Sequence, residues 1–76
     1  MTIFAGNGHG SGFAIGENLI LTNHHVIGES DKVVVKLGAG FEISGDVIAY
    51  NSAYDVAVIK VPASLPRHFK LQRALP

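Results

Sequence analysis

Short runs of β-branched and aromatic residues recur along the chain, each closed by glycine, asparagine or proline. Phe13-Ala14-Ile15 stops at Gly16-Glu17-Asn18, and Leu19 to Thr22 comes next. Lys32 to Leu37 (KVVVKL) stops at Gly38-Ala39-Gly40, Phe41 to Tyr50 (FEISGDVIAY) holds Gly45 in its middle, and Asp55 to Val61 (DVAVIKV) stops at Pro62. Turn signals spaced by about 8–12 residues are the rhythm of an antiparallel barrel or sandwich. No window shows the 3.6-residue period of a long helix, and only His24 to Gly28 fits a single helical turn. The pattern therefore predicts an all-β chain, an antiparallel barrel or sandwich of short strands. Gly45 predicts a bulge or sharp bend within its strand. Residues 6–12, GNGHGSG, are too glycine-rich for a helix and read as a loop. Residues 1–9 are accordingly expected as a flexible lead-in to a domain spanning 1–62. From Pro62 onward PASLPRHFKLQRALP carries three prolines and no strand pattern, so 63–76 reads as a linker.

Two of the runs, VVV and VAVI, are apolar at consecutive positions, which calls for cover on both faces. One face fills a small barrel. A chain of 76 residues has little left to cover the other. The chain is thus expected to be one part of a two-body structure and, when isolated, to form a homo-oligomer, with exchange of strands at unpaired sheet edges as one route. There are no cysteines, so neither disulfides nor thiolate–zinc sites are available. Formal net charge is zero, which removes any global attraction to nucleic acid or anionic membrane. The charge is unevenly placed: residues 1–62 hold three lysines and six acids, and 63–76 hold Arg67, Lys70 and Arg73. No apolar run approaches the ~20 residues of a membrane span, and the N-terminus lacks the basic start and long apolar stretch of a signal peptide. A cytoplasmic chain, or the mature form of a bacterial periplasmic one, is expected.

The chemistry concentrates in LTNHHVI, Leu21 to Ile27. A strand ends at Thr22 and the chain turns at once, so a histidine there stands on the rim of a barrel, held yet able to reach a cleft. That placement suits a general base, which has to lie within ~3 Å of the proton it takes, and the imidazole titrates near neutrality. Asp55 precedes an apolar strand, where a carboxylate needs a partner. An imidazole N–H would satisfy it, and the carboxylate would in turn fix the ring's tautomer and stabilise an imidazolium. No metal or other cofactor is expected, because adjacent histidines on a turn diverge and no H-x-x-x-H pair occurs. The alternating glycines Gly6, Gly8, Gly10 and Gly12 lack the strand-before, helix-after setting of a phosphate loop.

Taken in order, Gly10-Ser11-Gly12-Phe13, Thr22-Asn23-His24-His25-Val26 and Asp55-Val56-Ala57 resemble the first half of a trypsin-like serine protease, most closely the cysteine-free HtrA/Deg-type branch. The resemblance covers roughly residues 10–62. It implies the N-terminal barrel of a two-barrel fold, a six-stranded antiparallel barrel or a partly open version of one, with His25 at the catalytic position, His24 at the free one and Asp55 as the orienting acid. The family's nucleophilic serine lies in a Gly-Asp/Asn-Ser-Gly-Gly motif on a second barrel, together with the oxyanion hole and substrate pocket. None of Ser11, Ser30, Ser44, Ser52 and Ser64 sits in such a motif, and Ser11 falls where the family has a structural strand residue. The resemblance implies a serine endopeptidase acting on polypeptide substrates once the C-terminal barrel is supplied, and an inactive chain without it. The alternative is a non-catalytic half-barrel that serves as a self-association or protein-interaction module.

Overall fold

The computed structural model describes residues 1–6, 8–38 and 40–62. In chain order they form β1 (Thr2–Ala5), β2 (Gly8–Ala14), β3 (Leu19–Thr22), α1 (His24–Ile27), β4 (Lys32–Gly38), β5 (Phe41–Asn51) and β6 (Val56–Lys60). The strands close into a barrel in the order β1-β2-β3-β6-β5-β4, each neighbouring pair antiparallel. The expected six-stranded antiparallel barrel is present in its closed form. β1 completes it, with Ile3 opposite Gly10 of β2 on one side and Val35 of β4 on the other. Closure leaves no free edge among the described strands, so exchange of strands at unpaired edges has nothing to act on here. The linker expected over 63–76 lies outside the described residues.

Alternation along each strand places the core. In β4, Val33, Val35 and Leu37 are buried, while Val34 between them is exposed. In β6, Ala57 and Ile59 are fully buried and Val56 and Val58 only partly so. The consecutive apolar runs are thus one inward set and one outward set. Ile3, Ile20, Val35, Ile59 and Val61 form the fully enclosed centre. The turn α1 adds Val26 and Ile27, packing against β1, β2 and β6.

Two expectations are corrected. Neither Thr2–Ala5 nor most of the glycine-rich segment is a flexible lead-in: both are strands of the wall. The period of two is hidden because the inward positions of β2 are Gly10, Gly12 and Ala14, with His9, Ser11 and Phe13 facing out. The inward sites are small because other atoms occupy the space. A Cβ on Gly10 would come within 2.5 Å of Val26 Cγ2, and one on Gly12 within 2.9 Å of Ile20 Cγ2. Glycine here marks close approach rather than looseness. Gly45, in turn, is not a bulge. Pairing with β4 runs unbroken from Lys32↔Asp46 to Lys36↔Glu42, and a Cβ at Gly45 would lie 2.5 Å from Ile59 Cγ2. The register shift in β5 falls between Val47 and Ala49, making Ile48 the extra residue, with a second irregularity between Lys36 and Gly38.

Candidate active site

Barrel register explains why residues thirty apart in sequence meet. β3 pairs with β6 so that Thr22 stands opposite Ala57. The residues just after Thr22 therefore emerge beside those just before Ala57. Thr22 is buried, and its hydroxyl donates to the Ser11 carbonyl at 2.7 Å, pinning the end of β3 to β2. Asn23 continues extended (φ −90°, ψ 144°), and α1 begins at His24.

The two histidines part company on that turn. The His24 ring lies against Tyr50, centroids 4.9 Å apart and planes inclined by 33°. The extra residue at Ile48 sets up this contact. Beyond it Tyr50, rather than Ala49, falls opposite the inward-facing Ala57. His25 turns to Asp55, with Nδ1 2.7 Å from Oδ2, and its backbone N–H donates to Oδ1 at 2.8 Å. The carboxylate thus takes both the imidazole and the backbone amide of one residue.

Asp55 is presented by a tight turn. Its N–H donates to the Ser52 carbonyl at 3.2 Å, and the Asn51 side chain accepts from the Tyr54 N–H at 3.0 Å. Asp55 adopts φ 57°, a left-handed conformation costing roughly 1–2 kcal/mol for most non-glycine residues but better tolerated by Asp. Asn23 Nδ2 donates to the Asp55 carbonyl at 3.0 Å. Asn23 itself makes no side-chain bond to the start of α1, and the Asp55 carboxylate serves that first turn instead.

The hydrogen bond from the His25 side chain holds the Asp55 carboxyl below its ordinary value; the His25 backbone N–H adds to this, while partial desolvation opposes it. A carboxylate that stays ionised can only accept, so Nδ1 donates its proton to Asp55, and in the neutral ring Nε2 then presents its lone pair. The His25 side chain is 71% exposed, and no hydrogen bond among the described residues engages Nε2. Chemically, such a pair can take up a proton at Nε2 while the carboxylate steadies the resulting cation from behind. Two open clefts flank α1. One of about 540 Å³ is bounded by His25 with Ala5, Gly8 and Val26, and one of about 600 Å³ by His24, Ile27, Ile48 and Tyr50.

Of the residues singled out from sequence, His25 and Asp55 are brought together and His24 is directed to Tyr50. Ser11 is an outward strand residue that gives its carbonyl to Thr22, and no hydrogen bond among the described residues joins it to His25. Among the described residues no three His, Asp or Glu side chains gather as a metal site would require. Sequence reasoning passed over Asn23 and Asn51. Asn23 sits inside the Thr-Asn-x-His element, but nothing in the pattern says that its amide crosses to Asp55. The pair Asn51-Ser52 does carry a turn signal.

Residues 10–75 match the family described as trypsin-like peptidase domain. A probable periplasmic serine endoprotease, DegP-like, from Rickettsia conorii is 41% identical over 61 residues, covering 79% of this chain and 12% of that protein. A protein of the same description from Halomonas elongata is 42% identical over 55 residues, covering 71% of this chain and 12% of that one. Among solved structures, the inactive form of the Rv3671c protease matches with a TM-score of 0.77 and 31% identity, over 86% of this chain and 32% of that one. The chain thus spans a small part of the length of these relatives. No helix among the described residues is long and apolar enough to cross a membrane. With a closed six-stranded barrel, a structural match to a protease and a family match across residues 10–75, the chain belongs to the trypsin-like serine peptidases.

Proposed function

We propose that this chain carries the general base and the orienting acid of a serine endopeptidase, with His25 moving the proton and Asp55 holding its tautomer and charge. The observation that carries the reading is the 2.7 Å contact between His25 Nδ1 and Asp55 Oδ2, with Nε2 unengaged among the described residues. In the whole protein a serine outside this chain attacks the peptide carbonyl. His25 takes the hydroxyl proton and returns it to the leaving amine, and backbone amides from the second barrel hold the oxyanion. The 76 residues alone then have no peptidase activity, since they contain no Gly-Asp/Asn-Ser-Gly-Gly motif. The test is hydrolysis of fluorogenic casein by the whole protein. Asp55→Asn lowers kcat about 10⁴-fold and His25→Ala about 10⁶-fold. Wild-type rates in either variant refute the assignment. Because both DegP-like relatives are described as periplasmic, we assign this chain to the same compartment, to be checked by fractionation.

A second reading concerns the outer wall. Phe13, Leu21, Val58 and Ala49 face one another across β2, β3, β6 and β5, opposite in direction to the buried Ala14, Ile20 and Ala57. Phe13 is 56% exposed. Such an apolar row on a small chain calls for cover. The second barrel covers it in the whole protein, and a second copy covers it in the isolated chain. Sedimentation of the isolated chain then shows a dimer that Phe13→Glu converts to monomer. A wild-type monomer at high micromolar concentration refutes this reading.

A further inference from the structure

We propose that Asn23 is a positioning residue: its side-chain amide latches the left-handed backbone of Asp55 and so keeps the carboxylate aimed at His25. The inference rests on the reading of His25 and Asp55 as an acid–base pair.

Asparagine just before a helical turn ordinarily caps it, its side-chain oxygen accepting from an N–H of the first turn. Asn23 occupies that position and makes no such bond. It uses the other end of the amide, Nδ2 donating to the Asp55 carbonyl at 3.0 Å. The vacated capping role is filled from across the barrel rim, by Asp55 Oδ1 on the His25 N–H. The two residues have exchanged duties, and each now holds the other's segment.

The exchange matters because little else holds this part of the rim. Asp55 is the one non-glycine residue with positive φ among those described, so its conformation needs a specific restraint. Packing does not supply one, since the His25 and Asp55 side chains are 71% and 42% exposed. The turn bonds reach Asp55 from its N-terminal side, its N–H donating to the Ser52 carbonyl and the Tyr54 N–H to Asn51, and leave its carbonyl to be held otherwise. Among the described residues only the Asn23 amide holds the Asp55 carbonyl by a side chain, and the orientation of that peptide decides where the carboxylate points.

A latch and a cap make different demands on position 23. A cap needs a short acceptor, which serine and aspartate provide as well as asparagine does. The latch needs an N–H at the reach of an asparagine amide. Aspartate has no donor when ionised, and the serine hydroxyl stops one atom short. Asn23→Ser, Asn23→Asp and Asn23→Ala therefore separate the two roles, and the 76-residue chain itself is the sample. Two readouts report on the pair directly. Nitrogen-15 shifts of the His25 ring, measured through its carbon-bound protons, give the fraction of Nδ1–H tautomer. Hydrogen exchange at the His25 amide gives the integrity of its bond to Oδ1.

The expected result is a wild-type His25 dominated by the Nδ1–H tautomer. All three variants move toward the mixture of free imidazole, and the His25 amide exchanges roughly fivefold faster, as loss of one ordinary hydrogen bond produces. The amides of Val35 and Ile59 keep their protection. If Asn23→Ser retains the wild-type tautomer and amide protection, Asn23 is a cap and the proposal falls. It falls equally if Asn23→Ala changes neither. Should the alanine variant fail to fold, the serine and aspartate variants, both competent caps, decide the matter by the same readouts. A whole protein whose proteolysis survives His25→Ala refutes the catalytic reading and leaves the latch intact, whereas a wild-type tautomer in Asn23→Ser refutes the latch and leaves the catalytic reading intact.

Discussion

Replacing Gly10 by alanine pushes a methyl group into the seat of α1. The added Cβ lies 2.5 Å from Val26 Cγ2, 3.4 Å from Cγ1 and 3.5 Å from the Val26 Cβ. Val26 is 6% exposed, and valine in a helical turn has essentially one χ1 well, so the side chain has nowhere to rotate. The turn has to lift off β2. Overpacking of this kind costs about 1–3 kcal/mol. Loss of glycine's freedom in the unfolded chain returns about 0.4–1 kcal/mol. The net destabilisation is about 1–2 kcal/mol, which at about 4–8 °C per kcal/mol lowers the Tm by roughly 5–15 °C. Val26→Ala alone costs about 2 kcal/mol for the two buried methyl groups and the space they leave. In that background the two closest atoms are gone and only the ordinary 3.5 Å contact to Cβ remains. Gly10→Ala then becomes neutral or stabilising. Thermal unfolding of the wild type, both single variants and the double variant, monitored by circular dichroism, yields the coupling. A Gly10→Ala cost that is the same within about 0.5 kcal/mol in both backgrounds refutes the seat. Because Val26 is the next residue after His25, the lifted turn of the single variant also loosens the contact to Asp55, visible in the His25 ring nitrogen shifts.

Two further outcomes rest on the same geometry. The Asp55 carboxyl titrates below its unfolded value of 3.8, so its pairing stabilises the fold above that pH, and the contribution is lost as pH falls through the lowered folded value. The Tm difference between wild type and Asp55→Asn should hold above this window and shrink within it on acidification; a difference that grows there contradicts the pairing. Thr22→Val keeps the shape of a buried side chain but removes the 2.7 Å bond to the Ser11 carbonyl, and should cost about 1–2 kcal/mol in urea unfolding; no change would mean that water serves that carbonyl equally well.

What was legible in the sequence depended on whether side chains reported the backbone. Lys32 to Leu37 and Asp55 to Val61 keep apolar side chains at every inward position, so β4 and β6 are readable almost to their ends. β2 obeys the same alternation, but its inward positions are glycines that make room for Val26 and Ile20, and the composition imitates a loop. The same confusion made Gly45 look like a bulge, whereas the extra residue is Ile48, whose side chain resembles that of any strand residue. The meeting of His25 with Asp55 was legible through the spaced elements of a known family. The conformation that brings it about was not. A positive φ at Asp55, and an asparagine that donates across the rim instead of capping its own turn, leave no periodic trace.

The order in which the barrel closes sets a condition on how it is made. β3 precedes most of the barrel in the chain, yet its second neighbour, Ala57 to Lys60 of β6, follows every other strand. Until β6 is available, the other five strands can form only an open sheet in the order β3-β2-β1-β4-β5, with bare edges at β3 and β5. Contacts of this sequence separation form slowly compared with hairpins. Leu19 to Thr22 are therefore among the last residues of the barrel to find both partners. The chain's vulnerability to aggregation is governed by how fast β6 inserts between β3 and β5, not by how fast any turn forms.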